Sequence, residues 1–141
     1  VREGFFIPHR NETGYWWQGE SARLASLTTA MAVASREPGV EMPAGWTGYA
    51  QSQLDWTLGR NPYGISMLYG FGRRNPPTVA SSAGDMFKGG ISNGITGAVG
   101  SDAGEGIAFG PGPDAEQWRW VEQWLPHTTW MLLAAVESAR R

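Results

Sequence analysis

The residues best suited to chemistry crowd into Trp118-Arg119-Trp120-Val121-Glu122-Gln123-Trp124-Leu125-Pro126-His127. Three indoles surround one carboxylate, Glu122, just ahead of an apolar stretch. Indole surroundings exclude water, and desolvation disfavours the charged form of an acid, so the spacing predicts a raised pKa for Glu122. A carboxylic acid that keeps its proton near neutral pH can protonate a leaving oxygen, which is the task of the general acid in glycoside hydrolysis. Tryptophan faces also stack on the C–H faces of sugar rings, which makes Trp118 and Trp124 candidate sugar contacts. The alternative, evenly matched on spacing alone, is that Trp118, Trp120 and Trp124 are packing residues and that Glu122 pairs with Arg119 or Arg23.

A second group is Tyr15-Trp16-Trp17-Gln18-Gly19-Glu20. Trp16 and Trp17 are candidate sugar contacts with a share in packing. Glu20 reads as an acid set against the positive end of a helix rather than as a reactive group. A third group is Asn61-Pro62-Tyr63-Gly64 together with Gly70-Phe71-Gly72-Arg73-Arg74-Asn75-Pro76. Tyr63, Arg73 and Arg74 are candidate substrate contacts there, the arginines as clamps or as loop-fixing ion pairs. Gly70-x-Gly72 lacks the strand–helix context and the lysine of a phosphate loop. Asp102-Ala103-Gly104-Glu105 reads as a solvated acidic turn more readily than as a calcium site. His9 and His127 share no metal-ligand spacing, and His127 reads as a capping or core histidine. No cofactor or metal is expected.

These groups need elements to hold them. Leu24, Leu27, Met31 and Ala34 recur at helical spacing, which predicts a helix over about 17–36, broadened by Ala22, Ala25, Ala30 and Ala32 and stopped by Pro38-Gly39. A second helix is predicted over about 43–58, with Trp46, Tyr49 or Ala50, Leu54 and Leu58 inward and Gly59 as its stop. Ile65 to Tyr69 reads as a short strand or extended rim, and one helical turn is expected near Met86. Residues 116–124 suggest a short helix. A last helix spans about 126–139, and its Trp130-Met131-Leu132-Leu133-Ala134-Ala135-Val136 is apolar all round, as in a helix buried on every side.

The chain has 141 residues, which is one domain or a piece of a larger one. Its net charge of −2, with no basic block, argues against nucleic acid as a partner. The absence of cysteine removes disulfides, thiolate metal sites and thiol nucleophiles. No apolar run is long enough to span a membrane. The sequence starts at Val1 and carries no readable address, so its start is expected to be a processing or expression boundary. Of its 20 glycines, 14 fall between Gly59 and Gly112, interleaved with aromatics. That pattern predicts long, ordered, functional loops rather than low complexity.

The order of motifs resembles the C-terminal part of glycoside hydrolase family 9, the family of endoglucanases and exo-glucosaminidases. The resemblance is carried by Gln53-Leu54-Asp55-Trp56-x-Leu58-Gly59-x-Asn61-Pro62-x-Gly64-x-Ser66, then Gly70-Phe71-Gly72, then Gly89-Gly90-Ile91-Ser92-Asn93. It covers roughly residues 46–140. It implies an all-α (α/α)6 barrel with a cleft at one end, and inverting hydrolysis of β-linked sugars by one acid and one base. Glu122 matches the family's catalytic glutamate, although Val121 stands where the cellulases have asparagine. The family's catalytic aspartates lie further toward the N-terminus. Ala83-Gly84-Asp85 echoes their motif in the wrong place, so the base is expected outside this chain. Arg73-Arg74-Asn75 replaces the family's histidine-containing segment, which implies a different sugar or a divergent member.

Three helices cannot enclose the last one. The chain is therefore expected to be the C-terminal portion of one catalytic domain, inactive alone and covered by the remainder of the barrel or by a second copy. Its expected ligand is an oligosaccharide or polysaccharide. The competing readings are a non-catalytic sugar-binding module and a helical interaction domain.

Overall fold

The computed structural model describes residues 19–77, 86–96 and 118–140. Regular structure among them is all-α: α1 (Ser21–Ala34), α2 (Trp46–Thr57), the short α3 (Trp118–Val121) and α4 (Leu125–Ala139). Helix α1 lies at the centre and packs against both α2 and α4. Trp16 and Trp17 lie outside the described residues, as do Asp85, Asp102 and Glu105.

The buried face of α1 is Ser21, Leu24, Ala25, Thr28, Thr29 and Met31. The two threonines are tolerated inside because each hydroxyl bonds back to a carbonyl one turn earlier, Thr28 to Leu24 and Thr29 to Ala25. Thr28 also reaches the Ala50 carbonyl of α2 at 3.1 Å. Leu27 is only half-buried and Ala30 is exposed, so the inward stripe is rotated from the one expected. Helix α2 shows a similar correction. Gln53, Leu54, Trp56 and Thr57 are buried while Leu58 is exposed. Trp56 joins Leu24, Met67, Ile91 and Ile95 in the main core cluster, and Ala25, Leu54 and Ala134 form a second.

The chain leaves α2 through Gly59, at φ 109°, as expected of a helix stop. Asn61 then secures the exit. Its Nδ2 donates to the Trp56 carbonyl at 2.8 Å and to the Ile65 carbonyl at 2.7 Å. Its Oδ1 accepts from the N–H groups of Tyr63 and Ile65. Asn75 ties the next loop in the same way, donating to Ser66, Leu68 and Phe71 carbonyls and accepting from the Gly70 N–H.

Residues 65–69 form an extended rim and not a strand. They share one isolated bridge, Leu68 with Ile91, and a second bridge joins Ser92 to Gln123. The segment 89–93 thus lies between 67–69 and 122–123. Among the described residues no helix occurs over 86–90, where Phe87 is pinned by the Gln123 side chain on both its N–H and its carbonyl; the residues just before Met86 lie outside the described ones.

Among the described residues, helix α4 is covered on one side only. Its buried residues are His127, Ala134 and Glu137, whereas Leu125 and Leu132 are 75% and 65% exposed. An apolar helix that reads as fully interior therefore presents a bare apolar face within the described residues. At its far end, Glu137 is clamped by Arg36, in the turn that follows α1, and by Arg140.

Candidate active site

The N-terminal ends of α1 and α4 lie together. Nδ1 of His127 accepts the main-chain N–H of Ala22 at 2.8 Å. The segment 92–96 joins the same end to the turn before α4. The Glu20 and Ser21 N–H groups donate to the carbonyls of Ile95 and Asn93, at 2.9 and 3.0 Å. Asn93 in turn gives its N–H to the Glu122 carbonyl, and Gly94 gives its N–H to Trp120, both at 2.8 Å. Because 67–69 runs beside 89–92, the loop that follows α2 belongs to this end as well.

Of the expected site residues, Glu122 is half-buried in the turn that leads into α4. The three indoles beside it in sequence take up different environments. Trp120 is core, at 4% exposure, while Trp124 is 45% exposed, with its ring tilted 57° against His127. Trp118 is half-buried, and its carbonyl receives the Asn93 side-chain amide at 3.2 Å. Arg23, a candidate partner of Glu122, is bound to Glu20 instead. Tyr63, Arg73 and Arg74 are exposed on the loop after α2, and the Arg74 carbonyl accepts the Ser66 N–H.

The deeply buried carboxyl at this end is Glu20. It occupies the N-cap position of α1 but makes no capping bond, and the residue is 2% exposed. One oxygen meets Arg23 at 3.2 Å, and the other, Oε2, is buried without a partner. Burial pushes its pKa up to about 7, outweighing the pull of the mostly solvated guanidinium. Glu20 thus stands at the N-terminus of α1, as expected, but as a buried carboxyl. No signal in its sequence neighbours marked it, because its burial comes from the distant segments 92–96 and α4 that meet this helix end.

Among the described residues no cluster of histidines and carboxylates could hold a metal ion, and no helix is long and apolar enough to cross a membrane. The family model of Glycosyl hydrolase family 9 matches residues 5–100, more than half of the chain. The chain belongs to glycosyl hydrolase family 9. The match takes in Trp16, Trp17, α1, α2, the loop with Tyr63, Arg73 and Arg74, and the 89–96 segment. It ends before Glu122 and α4, which the fold attaches to it through Asn93 and Ala22. No curated protein matches the chain closely enough to add a named relative. The all-α architecture agrees with this family 9 membership, and carbohydrate is the substrate class it brings.

Proposed function

We propose that this family 9 chain supplies the proton-donating side of an inverting glycosidase site for β-linked sugars, with Glu122 as general acid. The observation that carries the reading is the main-chain bond from Asn93 to Glu122. It ties the turn that bears Glu122 to the segment matched by the family, at the end of the helices where Tyr63, Arg73 and Arg74 are exposed.

In such a site the protonated carboxyl of Glu122 gives its proton to the glycosidic oxygen as the bond to the anomeric carbon breaks. A second carboxylate, ~6.5–9.5 Å away, takes a proton from the water that attacks the opposite face. The chain's own residues would do the holding. Trp118, Trp124, Trp16 and Trp17 would stack on sugar rings, Tyr63 would line the cleft, and Arg73 and Arg74 would bind hydroxyls. The base would come from a preceding part of the same (α/α)6 domain. The bare face of α4 supports that arrangement, because an inner helix of such a ring needs neighbours on both sides.

Glu122→Gln in the full-length enzyme tests the assignment. The amide keeps the shape and loses the proton, so kcat falls by ~10²–10⁴ while sugar affinity and melting temperature hold. Turnover within a few-fold of the parent would remove Glu122 from the role. The chain alone is expected not to hydrolyse β-glycosides, since it would hold only one of the two carboxyls.

A further inference from the structure

His127 stands in the first turn of α4, five positions after Glu122, and is 2% exposed. Its Nδ1 accepts the Ala22 N–H at 2.8 Å. A ring nitrogen that accepts an N–H carries no proton of its own, so the neutral imidazole must hold its single proton on Nε2. Burial drives the pKa of the ring down to about 4, so the ring is neutral at physiological pH. Nε2–H is thus a buried donor of fixed tautomer, yet it has no acceptor among the described residues. Buried donors in folded proteins almost always have partners, and an orphan points to a group that has still to arrive. The carboxyl oxygen Oε2 of Glu20, two residues before Ala22, is an orphan acceptor at the same helix end. The bond from Ala22 explains why an imidazole nitrogen stands here, but it uses only Nδ1 and leaves the Nε2 donor unaccounted for.

We propose that His127 is a fixed, neutral hydrogen-bond donor of the glycosidase site, with its Nε2–H held for an oxygen acceptor. That oxygen is either a hydroxyl of the sugar or a carboxylate of the site contributed from outside the described residues. The identity of the acceptor rests on the glycosidase reading above, whereas the tautomer and the orphaned donor do not.

Nitrogen-15 NMR of the histidines in the full-length enzyme is the first measurement. His127 should show a protonated Nε2 and an unprotonated Nδ1, without titrating between pH 5 and 8. A proton on Nδ1, or a ring that titrates near pH 6.5, overturns the proposal. The second measurement is kinetics of His127→Phe and His127→Gln on aryl β-glucoside and aryl β-glucosaminide, in variants with parental circular dichroism. Glutamine can accept the Ala22 N–H with its oxygen and donate with its amide, so it should recover at least tenfold of the activity that phenylalanine loses. A sugar acceptor gives a raised KM in His127→Phe and an Nε2 resonance that moves on adding an unhydrolysed thio-linked β-disaccharide. A carboxylate acceptor gives a lowered kcat at constant KM and a hydrogen-bonded Nε2–H already present without sugar. Kinetic constants of both variants within twofold of the parent would overturn the proposal. If His127→Phe does not fold, His127→Gln and the tautomer measurement still decide it. Failure of the Glu122→Gln test would sink the general-acid assignment while leaving the NMR outcome for His127 to stand by itself.

Discussion

Arg23 reaches one oxygen of Glu20 at 3.2 Å and leaves the other oxygen, Oε2, buried without a partner. Half a salt bridge does not offset burial, so the carboxyl rises from 4.5 to about 7. The sign of the consequence follows from proton counting. Between pH 4.5 and 7 the folded state holds a proton that the unfolded state has released, so stability falls as pH rises through that window. A shift from 4.5 to 7 corresponds to about 3 kcal/mol. Glu20→Gln should remove that loss. Denaturant midpoints of the two proteins should coincide near pH 4 and separate toward pH 8, with the glutamine variant the more stable. A parent more stable than the variant at pH 8 would show that the Arg23 pair outweighs burial.

His127 has the opposite sign in nearly the same window. Burial lowers its pKa from 6.5 to about 4, so the unfolded chain binds the extra proton and stability falls as pH drops below 6.5. The size is again about 3 kcal/mol for the shift from 6.5 to 4. The two groups therefore mask one another between pH 4.5 and 6.5. Substituting either one unmasks the other. Glu20→Gln should leave a protein that gains stability with rising pH there, and His127→Phe should leave one that loses it. Melting temperatures measured across that range check both slopes.

The helices were legible because their signals are local. The Gly59 stop and the apolar repeats of α1 and α4 lie within one element each, and the loop motif 61–75 reads from asparagine and glycine positions. The facing of the helices was less so. Trp56 and Gln53 are buried because α2 turns that side to α1 and to the 65–67 rim, a tertiary choice that a stripe of leucines does not reveal. The site suffered most. Three indoles lie near Glu122 in sequence, but α3 ends at Val121 and α4 begins at Leu125, and Trp120 is core while Trp124 is 45% exposed, a difference that spacing does not carry. Glu20 and His127 become visible only when the ends of α1 and α4 meet, from positions 105 residues apart at the Ala22–His127 bond.

Asn61 shows why the motif after α2 calls for an amide. Its Nδ2 serves two carbonyls, Trp56 at 2.8 Å and Ile65 at 2.7 Å, while Oδ1 takes two N–H groups. Alanine would strand these groups, at ~1–3 kcal/mol for each one left buried. Asn61→Asp is nearly isosteric but replaces the donor by a second acceptor facing both carbonyls. It should therefore do no better than Asn61→Ala, despite retaining Oδ1. Urea unfolding of the two variants makes the comparison, and an aspartate variant close to the parent would show that shape alone suffices.

Gly72 and Gly45 separate conformation from crowding. Both have positive φ, 88° and 83°. A Cβ on Gly72 would come 2.7 Å from the Ser66 Cβ, whereas a Cβ on Gly45 would meet nothing within 4 Å. Gly45→Ala should therefore cost only the left-handed strain, about 1 kcal/mol. Gly72→Ala should cost clearly more and should displace the loop that carries Arg73 and Arg74. Thermal melts rank the pair. In the full-length enzyme, KM should rise for Gly72→Ala and stay level for Gly45→Ala.

The bare side of α4 makes the last prediction. Leu132 is 65% exposed and Val136 is 41% exposed, on a helix whose other side is sealed by α1. A lysine at 132 would sit in water if that face stayed free. It would be forced into an apolar contact if the remainder of a barrel covered it, and an unpaired buried charge costs several kcal/mol. Leu132→Lys should therefore act in opposite directions in two settings. In the chain taken alone it should reduce self-association, read as a lower average mass in sedimentation. In the full-length enzyme it should lower the melting temperature by many degrees. A full-length variant that melts with the parent would mean that Leu132 faces solvent there too, and that α4 is not an inner helix of a closed ring.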